Sequence, residues 1–170
     1  MIETERLLLR KPVIADAGDL LAYIEDPEVV RWIGADPGDR STAVASIERW
    51  LAAWQTNGVG HFVIVRDGRV LGRAGFMVWD RSKWQPSTFA AAGEDAELEL
   101  GWTLAREHWG HGYATEAAGA ARAWADRGRV ISLINPENIR SQRVAEKLGA
   151  GPEERVETPG GPADVWVHPR

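Results

Sequence analysis

The chain has 170 residues, a length typical of a single domain with a substantial buried core. Hydrophobic residues make up 44% and charged residues 26%, as in an ordinary globular protein. The net charge of −5 disfavours a nucleic-acid partner, and the absence of cysteine excludes disulfides, thiolate metal sites and a cysteine nucleophile. Because the chain has no membrane-length apolar run and no signal-peptide centre, a cytoplasmic protein without a membrane partner is expected.

The first half of the chain predicts a mixture of strands and helices. Asp16 and Ser41 are good N-caps for the first two helices, and Asn57 followed by glycine is a stop signal. The pair Asp67-Gly68 between two apolar runs predicts a hairpin. Segment 80–95, with proline, glycine and three consecutive alanines, is predicted to be a mobile loop. The predicted strands are 6–11, 60–66 and 70–79, and the predicted helices are 16–24 and 41–55, with a short helical turn at 27–32.

The second half opens with the stretch around which the rest of the chain is organised. From Ala96 to Leu104 apolar residues alternate with others, which predicts a strand that carries Glu97 and Glu99 on its non-core face. A glycine loop follows, and an alanine-rich helix then runs from Thr115 to a stop at Gly128. The remaining predicted elements are a strand at 130–134, a helix capped by Asn138 that ends at Leu148, and strands at 154–158 and 163–168.

The loop between this strand and this helix predicts a pyrophosphate site. A helix start presents unpaired amides and partial positive charge, and Gly110 and Gly112 let the backbone approach an anion closely. A Walker A loop is excluded because Tyr113 and Ala114 stand where lysine and a hydroxyl residue are needed. A dinucleotide fingerprint is disfavoured because Thr115 replaces its third glycine. The basic residues that could add positive charge are Arg106, His111, Arg140, Arg143 and Lys147.

Several strings along the chain resemble one enzyme family. Glu99-Leu-Gly-Trp and Trp109-Gly-His-Gly-Tyr-Ala-Thr-Glu-Ala resemble motif A of the GNAT acetyltransferase superfamily, whose loop pattern Gln/Arg-x-x-Gly-x-Gly/Ala falls on residues 109–114. The opening Glu3-Thr-Glu-Arg-Leu-Leu-Leu-Arg and the later Asn138-Ile-Arg-Ser and Lys147-Leu-Gly are similar to the subgroup of ribosomal-protein N-terminal (alanine/serine) acetyltransferases. Trp109 departs from the usual Gln/Arg, which is expected to tune pyrophosphate binding, because the family's contacts come mainly from the backbone.

The resemblance implies both a fold and a reaction. The fold is α/β (α+β), one domain over residues 1–170 with a single mixed, mostly antiparallel sheet of six to seven strands, helices on both faces, and a splay between Glu97–Leu104 and Val130–Ile134. The reaction is transfer of an acetyl group from acetyl-CoA, the cosubstrate, to a primary amine by direct attack in a ternary complex. The amine is either a protein N-terminal α-amine or a small-molecule amine. The implied cofactor-binding residues are Trp102, Thr103, Leu104, Trp109, Gly110, His111, Gly112, Tyr113, Ala114, Thr115, Asn138 and Ser141.

A carboxylate is the expected catalytic group, since attack requires a neutral amine and something must accept its proton. Glu99, on the non-core face of the splayed strand, is the candidate base, directly or through a water, and Glu97 is the alternative. Many relatives place a tyrosine on the last helix to protonate the departing thiolate. This chain has Ala145 there, so water is expected to do so. An α-amine (pKa ~7.9) suits one carboxylate better than a lysine side chain (pKa ~10.4).

Other features of the sequence carry further hypotheses. His108 and His111 are spaced by three, but without cysteine or a partner cluster no metal site is predicted. The alternative from another class is a CoA-binding sensor or interaction module that keeps the fold and has lost turnover. A homodimer is one arrangement that the last strand pair allows. The tryptophans predicted to be core are Trp50, Trp54, Trp102 and Trp124, and those predicted to lie near an acceptor groove are Trp32, Trp79 and Trp84.

Overall fold

The described part of the chain, residues 1–125 and 127–170 of a computed structural model, forms one nine-stranded sheet with helices on both faces. The strands are β1 (Ile2–Glu3), β2 (Leu8–Arg10), β3 (His61–Arg66), β4 (Arg69–Asp80), β5 (Gln85–Pro86), β6 (Ala96–Leu104), β7 (Ile131–Ile134), β8 (Gly151–Thr158) and β9 (Gly161–Val167). Their order is β1-β2-β3-β4-β6-β7-β9-β8, and β5 pairs with β4. Strands β6 and β7 are parallel, and the other neighbours are antiparallel.

This sheet confirms the predicted fold class, although the prediction of six to seven strands is too low. Strands β1 and β5 account for the difference, because each has two residues and so cannot show an alternating pattern. The last two strands, β8 and β9, form a hairpin whose inner strand pairs with β7 of the same chain.

The helices begin and end close to the predicted positions. They are α1 (Ala17–Ile24), α2 (Pro27–Val30), α3 (Arg40–Asn57), α4 (Phe89–Ala92), α5 (Tyr113–Ala125) and α6 (Ile139–Lys147). As predicted, Asn138 caps α6 by accepting a hydrogen bond from the amide of Ser141 at 3.1 Å. Gly58 ends α3 in the left-handed conformation, with φ +68°. The predicted continuation of α5 to a stop at Gly128 crosses Asp126, which lies outside the described residues.

Two predicted N-caps are wrong because neighbouring polar groups compete for the same role. Helix α3 is capped by Asp39, whose carboxylate accepts hydrogen bonds from the amides of Ser41 and Thr42 at 2.8 and 3.1 Å. Asp16 precedes α1 without capping it. Its buried carboxylate forms a salt bridge with Arg10 instead, with an Nη2–Oδ1 distance of 2.6 Å.

Segment 80–95, predicted to be a mobile loop, consists of short ordered elements instead. Asp80 ends β4 and accepts a hydrogen bond from the amide of Ser82 at 2.9 Å. Strand β5 and helix α4 follow, and Thr88 caps α4 by accepting from the amide of Ala91 at 3.1 Å. Elements of two to four residues are too short for a sequence period to reveal them.

Hydrophobic layers hold helices to both faces of the sheet. On one face, α1 and α3 bury Leu20 and Ile47 against Val63. On the other face, the alanines of α5 pack on Phe76 and Leu100, because small side chains let the helix approach the sheet closely. Both faces of β4 therefore lie under helices, α1 on one side and α5 on the other.

The tryptophans only partly follow the prediction of core positions. Trp50 and Trp54 are buried, as predicted, and Trp102 is half-buried against two hydrophobic clusters. Trp124 is 42% exposed, so a core position is wrong for it. Its ring packs edge-on against Trp54 and Phe62 at the end of α5, with ring centroids 5.5 and 5.3 Å apart, while the rest of the ring is exposed.

A charged link joins the central strands. Glu97 on β6 is 4% exposed and accepts a hydrogen bond from Nε of Arg129 at 3.0 Å. Arg129 precedes β7 and also pairs with Glu153 on β8, with an N–O distance of 2.7 Å. Arg81 lies farther from Glu97, at 3.7 Å. The link ties β6 to β8 beside the place where β6 and β7 pair.

Removing this link is expected to destabilise the fold. In Arg129→Gln the buried carboxylate of Glu97 loses its principal partner, and the free energy of unfolding is expected to fall by about 1–3 kcal/mol. Arg129 is 36% exposed and Arg81 remains nearby, which keeps the loss below that of a fully buried pair. Urea unfolding followed by circular dichroism at neutral pH measures it.

The matched control is Arg155→Gln, which breaks the exposed pair between Arg155 and Asp164 on the β8–β9 hairpin. A surface pair of this kind contributes at most about 1 kcal/mol. Equal losses in the two variants would contradict a structural role for the buried link.

Candidate active site

The parallel strands β6 and β7 separate soon after they meet. Among the described residues, one pair of Cα partners joins them, Glu99 opposite Ile131. Beyond it, the hydroxyl of Ser132 donates a hydrogen bond to the carbonyl of Leu100 at 2.6 Å, where a regular ladder would use a backbone amide. The backbone of β6 beyond Leu100 therefore has no strand partner on this side.

The direction of the free backbone groups follows from the alternation along β6. The amide of Ala105 donates to the carbonyl of Leu71 beside β4 at 3.0 Å, so odd-numbered residues face β4. Even-numbered residues face the gap, as Leu100 does. The amide and carbonyl of Trp102 and the amide of Leu104 therefore point into the gap. Thr103 directs its backbone towards β4 instead.

The glycine loop ends in a helix start with unpaired amides. Gly110 and Gly112 adopt φ of +81° and +80°, a conformation that favours glycine. The first hydrogen bond into α5 runs from the amide of Glu116 to the carbonyl of Gly112, at 3.1 Å. In the described residues, the amides of Tyr113 and Ala114 donate no hydrogen bond, nor does that of Thr115. These donors and the helix dipole together form a site for an anion.

The side chain of Glu116 fastens this loop to the N-terminal strands. Its carboxylate accepts hydrogen bonds from the hydroxyl of Thr4 at 2.6 Å and from Nε of Arg6 at 2.7 Å. Arg6 also donates to the carbonyl of His111 at 3.0 Å. Because these contacts hold the loop in place, Glu116 has a structural role.

Trp109, the departure from the family motif, supports the loop in two ways. Its indole N–H donates a hydrogen bond to the carbonyl of Leu104 at 2.9 Å, so the last carbonyl of β6 is occupied. The guanidinium of Arg140 lies over its ring, 4.5 Å from the centroid. The tryptophan thus orients a cation of α6 beside the loop.

Basic side chains cluster at the loop although the whole chain is acidic. Arg140, Arg143 and Lys147 of α6 line the cleft beside the anion site. Arg106 is directed elsewhere and pairs with Asp26, with an Nε–Oδ2 distance of 2.8 Å. The ring of His111 stacks on Tyr113 with centroids 5.5 Å apart and does not line the cleft.

One continuous cleft of about 690 Å³ connects the loop, the gap and the opposite face of the sheet. Trp32 and Trp79 line its far side, as predicted, whereas Trp84 packs into the small cluster that contains Ile131 and Val165. The predicted site residues that line the cleft are Glu99, Trp102, Thr103, Leu104, Trp109, Gly110, Gly112, Tyr113, Ala114, Thr115, Asn138 and Ser141. Of the predicted site residues, His111 does not line the cleft in the described part of the chain.

Glu99 lies on the floor of this cleft, opposite Met77 of β4. Burial raises the pKa of its carboxyl group from 4.5 to about 7, because desolvation disfavours the charged form. The positive charge of Arg73 and the indole N–H of Trp79 act in the opposite direction without cancelling this effect. A carboxyl group with a pKa near neutrality is well matched to proton transfer at neutral pH.

The alternative base is unsuited to catalysis, and the position of α6 where relatives place a thiolate donor has no proton to give. Glu97 is committed to Arg129 and does not line the cleft. Ala145 is fully buried in a small cluster with Ile134 and Trp166, so this position of α6 presents methyl groups only.

Three residues of the cleft were not identified from the sequence alone. Arg73 and Met77 on β4 lie opposite Thr103 and Glu99, and Ser132 spans the gap. Strand β4 was predicted, but its register against β6 depends on contacts between distant parts of the chain. The available signal is the arginine at position 73, a charged residue inside an otherwise apolar run.

Two absences hold within residues 1–125 and 127–170. In this part of the chain, no group of three or more metal-ligating side chains comes together, and His108 lies near Glu107 at 3.4 Å instead. Nor does any helix described there combine the length and apolar character that crossing a membrane requires.

The sheet topology and the cleft define a coenzyme-dependent acyltransferase fold, and comparison with known proteins identifies its family. Residues 6–151 match the model of the acetyltransferase (GNAT) domain, so the chain belongs to the GNAT family. It is an acyl-CoA-dependent acetyltransferase with acetyl-CoA as its cosubstrate.

Individual relatives span nearly the whole chain. The uncharacterized protein YkkB of Bacillus subtilis is 31% identical over 157 residues, covering 86% of this chain and 82% of its own length. The crystal structure of an acetyltransferase from Agrobacterium tumefaciens is 27% identical, with a TM-score of 0.78 and coverage of 99% of this chain and 94% of that one. Aminoglycoside acetyltransferase AAC(6')-Ib in complex with coenzyme A shares the fold at 21% identity, with a TM-score of 0.71 and coverage of 96% and 95%.

A substitution in the glycine loop tests whether the loop binds CoA, and a matched substitution elsewhere measures the effect of backbone strain alone. Gly110→Ala forces alanine into a left-handed conformation and displaces the loop amides, so CoA affinity is expected to fall at least about tenfold by titration calorimetry. Gly58→Ala is the matched control, because Gly58 has φ +68° and equal free space around a Cβ but lies outside the cleft. Both variants are expected to lose about 1 kcal/mol of stability. Equal CoA affinity in the two variants would rule out the loop as the binding site.

Proposed function

We propose that this acetyltransferase moves the acetyl group of acetyl-CoA directly to a primary amine bound on the opposite side of β6. The observation that carries the proposal is the single cleft, which has unpaired backbone amides at one end and Glu99 in its floor. Both substrates can therefore meet without an acyl-enzyme, for which the chain has no cysteine. The family likeness supports the donor, and AAC(6')-Ib, seen with coenzyme A, shares the fold.

The residues around the gap match the parts of acetyl-CoA. The amides at the start of α5 and the basic residues of α6 suit the phosphates. The free amide and carbonyl of Trp102 and the amide of Leu104 suit the amide groups of the pantetheine arm, which would take the place of a missing strand. Asn138 and Ser141 line the cleft at the start of α6 and would contact the cofactor there.

Glu99 is proposed as the base. Its carboxylate takes a proton from the ammonium group of the acceptor, and the neutral amine then attacks the thioester carbonyl carbon. The C–N bond forms, the positively charged nitrogen loses its second proton to water, the C–S bond breaks, and CoA leaves as a thiolate. With Ala145 at the position of a potential donor, water supplies the proton to the thiolate. Overall, one proton is released to solvent for each amide formed.

The acceptor belongs to the class of α-amines or small-molecule amines. A single carboxyl group with a raised pKa removes a proton from an α-amine more readily than from a lysine side chain, because the pKa values of the two amines differ by about 2.5 units. A protein N-terminus and a small free amine both satisfy this condition.

Glu99→Gln tests the role of the base through its pH dependence. The wild-type carboxyl group becomes charged as the pH rises through about 7. The ratio of wild-type to variant kcat/KM is therefore expected to grow up to that pH and then to stay constant, at about 10²–10⁴. Ionisation of the acceptor affects both proteins alike and cancels in the ratio. Thiol release over a panel of amines measures it.

A second readout of the same variant does not depend on turnover. The pKa of Glu99 in the folded state is about 7, above its ordinary 4.5, so wild-type stability declines as the pH rises between these values. Glu99→Gln lacks this decline and is expected to be more stable than the wild type above neutrality by about 1–3 kcal/mol.

A ratio of wild-type to variant kcat/KM that does not change with pH would reject Glu99 as the base. Tight CoA binding with no thiol release from any amine would favour a CoA-binding module.

A further inference from the structure

Arg73 is a cation in the cleft without an anionic partner. It stands on β4, lines the cleft, and donates a hydrogen bond from Nη1 to Nε2 of His61 at 2.9 Å. Burial, reinforced by Arg73, lowers the pKa of His61 well below its usual value, so the imidazole is neutral. Within the described residues the guanidinium forms no ion pair, and Glu99 is beyond salt-bridge distance. A partly buried guanidinium is costly unless an anion pairs with it.

A further donor without a partner lies at the same spot. Thr103 lies directly opposite Arg73 and is 7% exposed, and its hydroxyl lines the cleft without a hydrogen-bond partner in the described chain. Buried donors normally find acceptors, so an unpaired hydroxyl beside a guanidinium without an anionic partner points to an acceptor supplied by a ligand.

A glycine separates these donors from the base. Gly101 lies between Thr103 and Glu99 on the same face of β6, and Gly75 lies opposite it on β4. A Cβ at Gly101 would lie 2.9 Å from Oε1 of Glu99 and 3.6 Å from Nη1 of Arg73. The space above this glycine is therefore flanked by a carboxyl group on one side and a guanidinium on the other, a few ångströms apart.

The far side of the cleft limits the size and polarity of what it accepts. Its walls include Trp32, Ile33 and Met77, and Glu99 is the one acidic residue among the described residues that line it. The loop after α2 touches the β8–β9 turn, since a Cβ on Gly34 would lie 2.6 Å from Cα of Gly160. This contact walls the cleft on the acceptor side. A polycation would find few anionic partners in this cleft. The contact between the two loops would keep a folded protein surface away from Glu99.

We propose that the acceptor is a free apolar amino acid, whose α-amine lies over Glu99 and whose carboxylate pairs with Arg73 and the hydroxyl of Thr103. The proposal rests on the acetyl transfer proposed above and names its substrate class. Glu99 takes one proton from the ammonium group, and the neutral amine nitrogen bonds to the acetyl carbon and loses its second proton to water. The C–S bond of acetyl-CoA breaks, and water protonates the thiolate. The product is an N-acetyl amino acid, and Trp32 and Met77 contact its apolar side chain.

Matched acceptors test the carboxylate directly. Thiol release is measured with L-phenylalanine, with L-phenylalaninamide, which represents a peptide N-terminus, and with phenethylamine, which lacks the carboxyl group. The wild type is expected to prefer L-phenylalanine. Arg73→Gln is expected to lower the ratio of kcat/KM for L-phenylalanine to kcat/KM for phenethylamine by about 30-fold or more, because its effect on the pKa of Glu99 is common to both acceptors and cancels in the ratio.

Two further variants show whether the effect of Arg73→Gln comes from the carboxylate site and not from misfolding or the loss of a charge. Thr103→Val keeps the side-chain shape and removes the unpaired hydroxyl, so it is expected to fold normally and to lower kcat/KM for L-phenylalanine by about tenfold. It also keeps the test valid if Arg73→Gln does not fold. Arg69→Gln is the charge-matched control on the same strand, exposed and away from the cleft, and is expected to behave as the wild type.

The outcomes separate this proposal from the acetyl transfer on which it rests. If L-phenylalanine has no advantage over phenethylamine or the amide, or if Arg73→Gln leaves the ratio of their kcat/KM values unchanged, the carboxylate site is overturned and acetyl transfer remains intact. If no acceptor gives thiol release, titration calorimetry measures the binding of L-phenylalanine to CoA-loaded protein. Binding of L-phenylalanine that is lost in Thr103→Val and Arg73→Gln supports the site even though transfer has failed, and absence of binding overturns it.

Discussion

The parting of two parallel strands is the constraint on which this structure depends. Strands β6 and β7 pair once, at Glu99 and Ile131, and the hydroxyl of Ser132 takes over the next ladder position. A sheet interrupted in its middle leaves backbone donors and acceptors that must be satisfied in another way. Here they line a cleft, so a long substrate with amide groups can complete the sheet.

The same strand serves both sides of the reaction because its residues alternate. Even-numbered residues of β6 direct their backbone into the gap, where the cofactor is proposed to bind. Odd-numbered residues direct their side chains to the other face, where Glu99, Gly101 and Thr103 meet Arg73 across the β4 ladder. One nine-residue strand thus sets the distance between the donor and the acceptor. Burial on this face also raises the pKa of Glu99.

Much of the fold could be predicted because its signals are local. The alternation along β6, the Asp67-Gly68 hairpin and the Asn138 cap depend on neighbouring residues, and the structure has them where expected. The caps of α1 and α3 were misjudged because a salt bridge to Arg10 and a better-placed Asp39 decide those positions. Short elements such as β5 fall below the length at which a period can be seen.

In the candidate site, too, residues close together in the sequence could be predicted, whereas those brought together by strand pairing could not. The cofactor loop is one continuous stretch, so its residues could be proposed from their spacing, with His111 as the one that turns away from the cleft. The acceptor face is assembled from β4 and β6, and its content depends on register. Arg73 could not be matched to Thr103, nor Met77 to Glu99, until the pairing of the two strands was known.

Exchange of backbone amides in the presence and absence of CoA tests the central claim most directly. With saturating CoA, nuclear magnetic resonance of ¹⁵N-labelled protein is predicted to show slowed hydrogen exchange at Trp102 and Leu104 in the gap and at Tyr113, Ala114 and Thr115 at the helix start. The amides of β3, which lies between β2 and β4, should change little. Protection confined to other parts of the sheet, with these five amides still exchanging freely, would contradict the account.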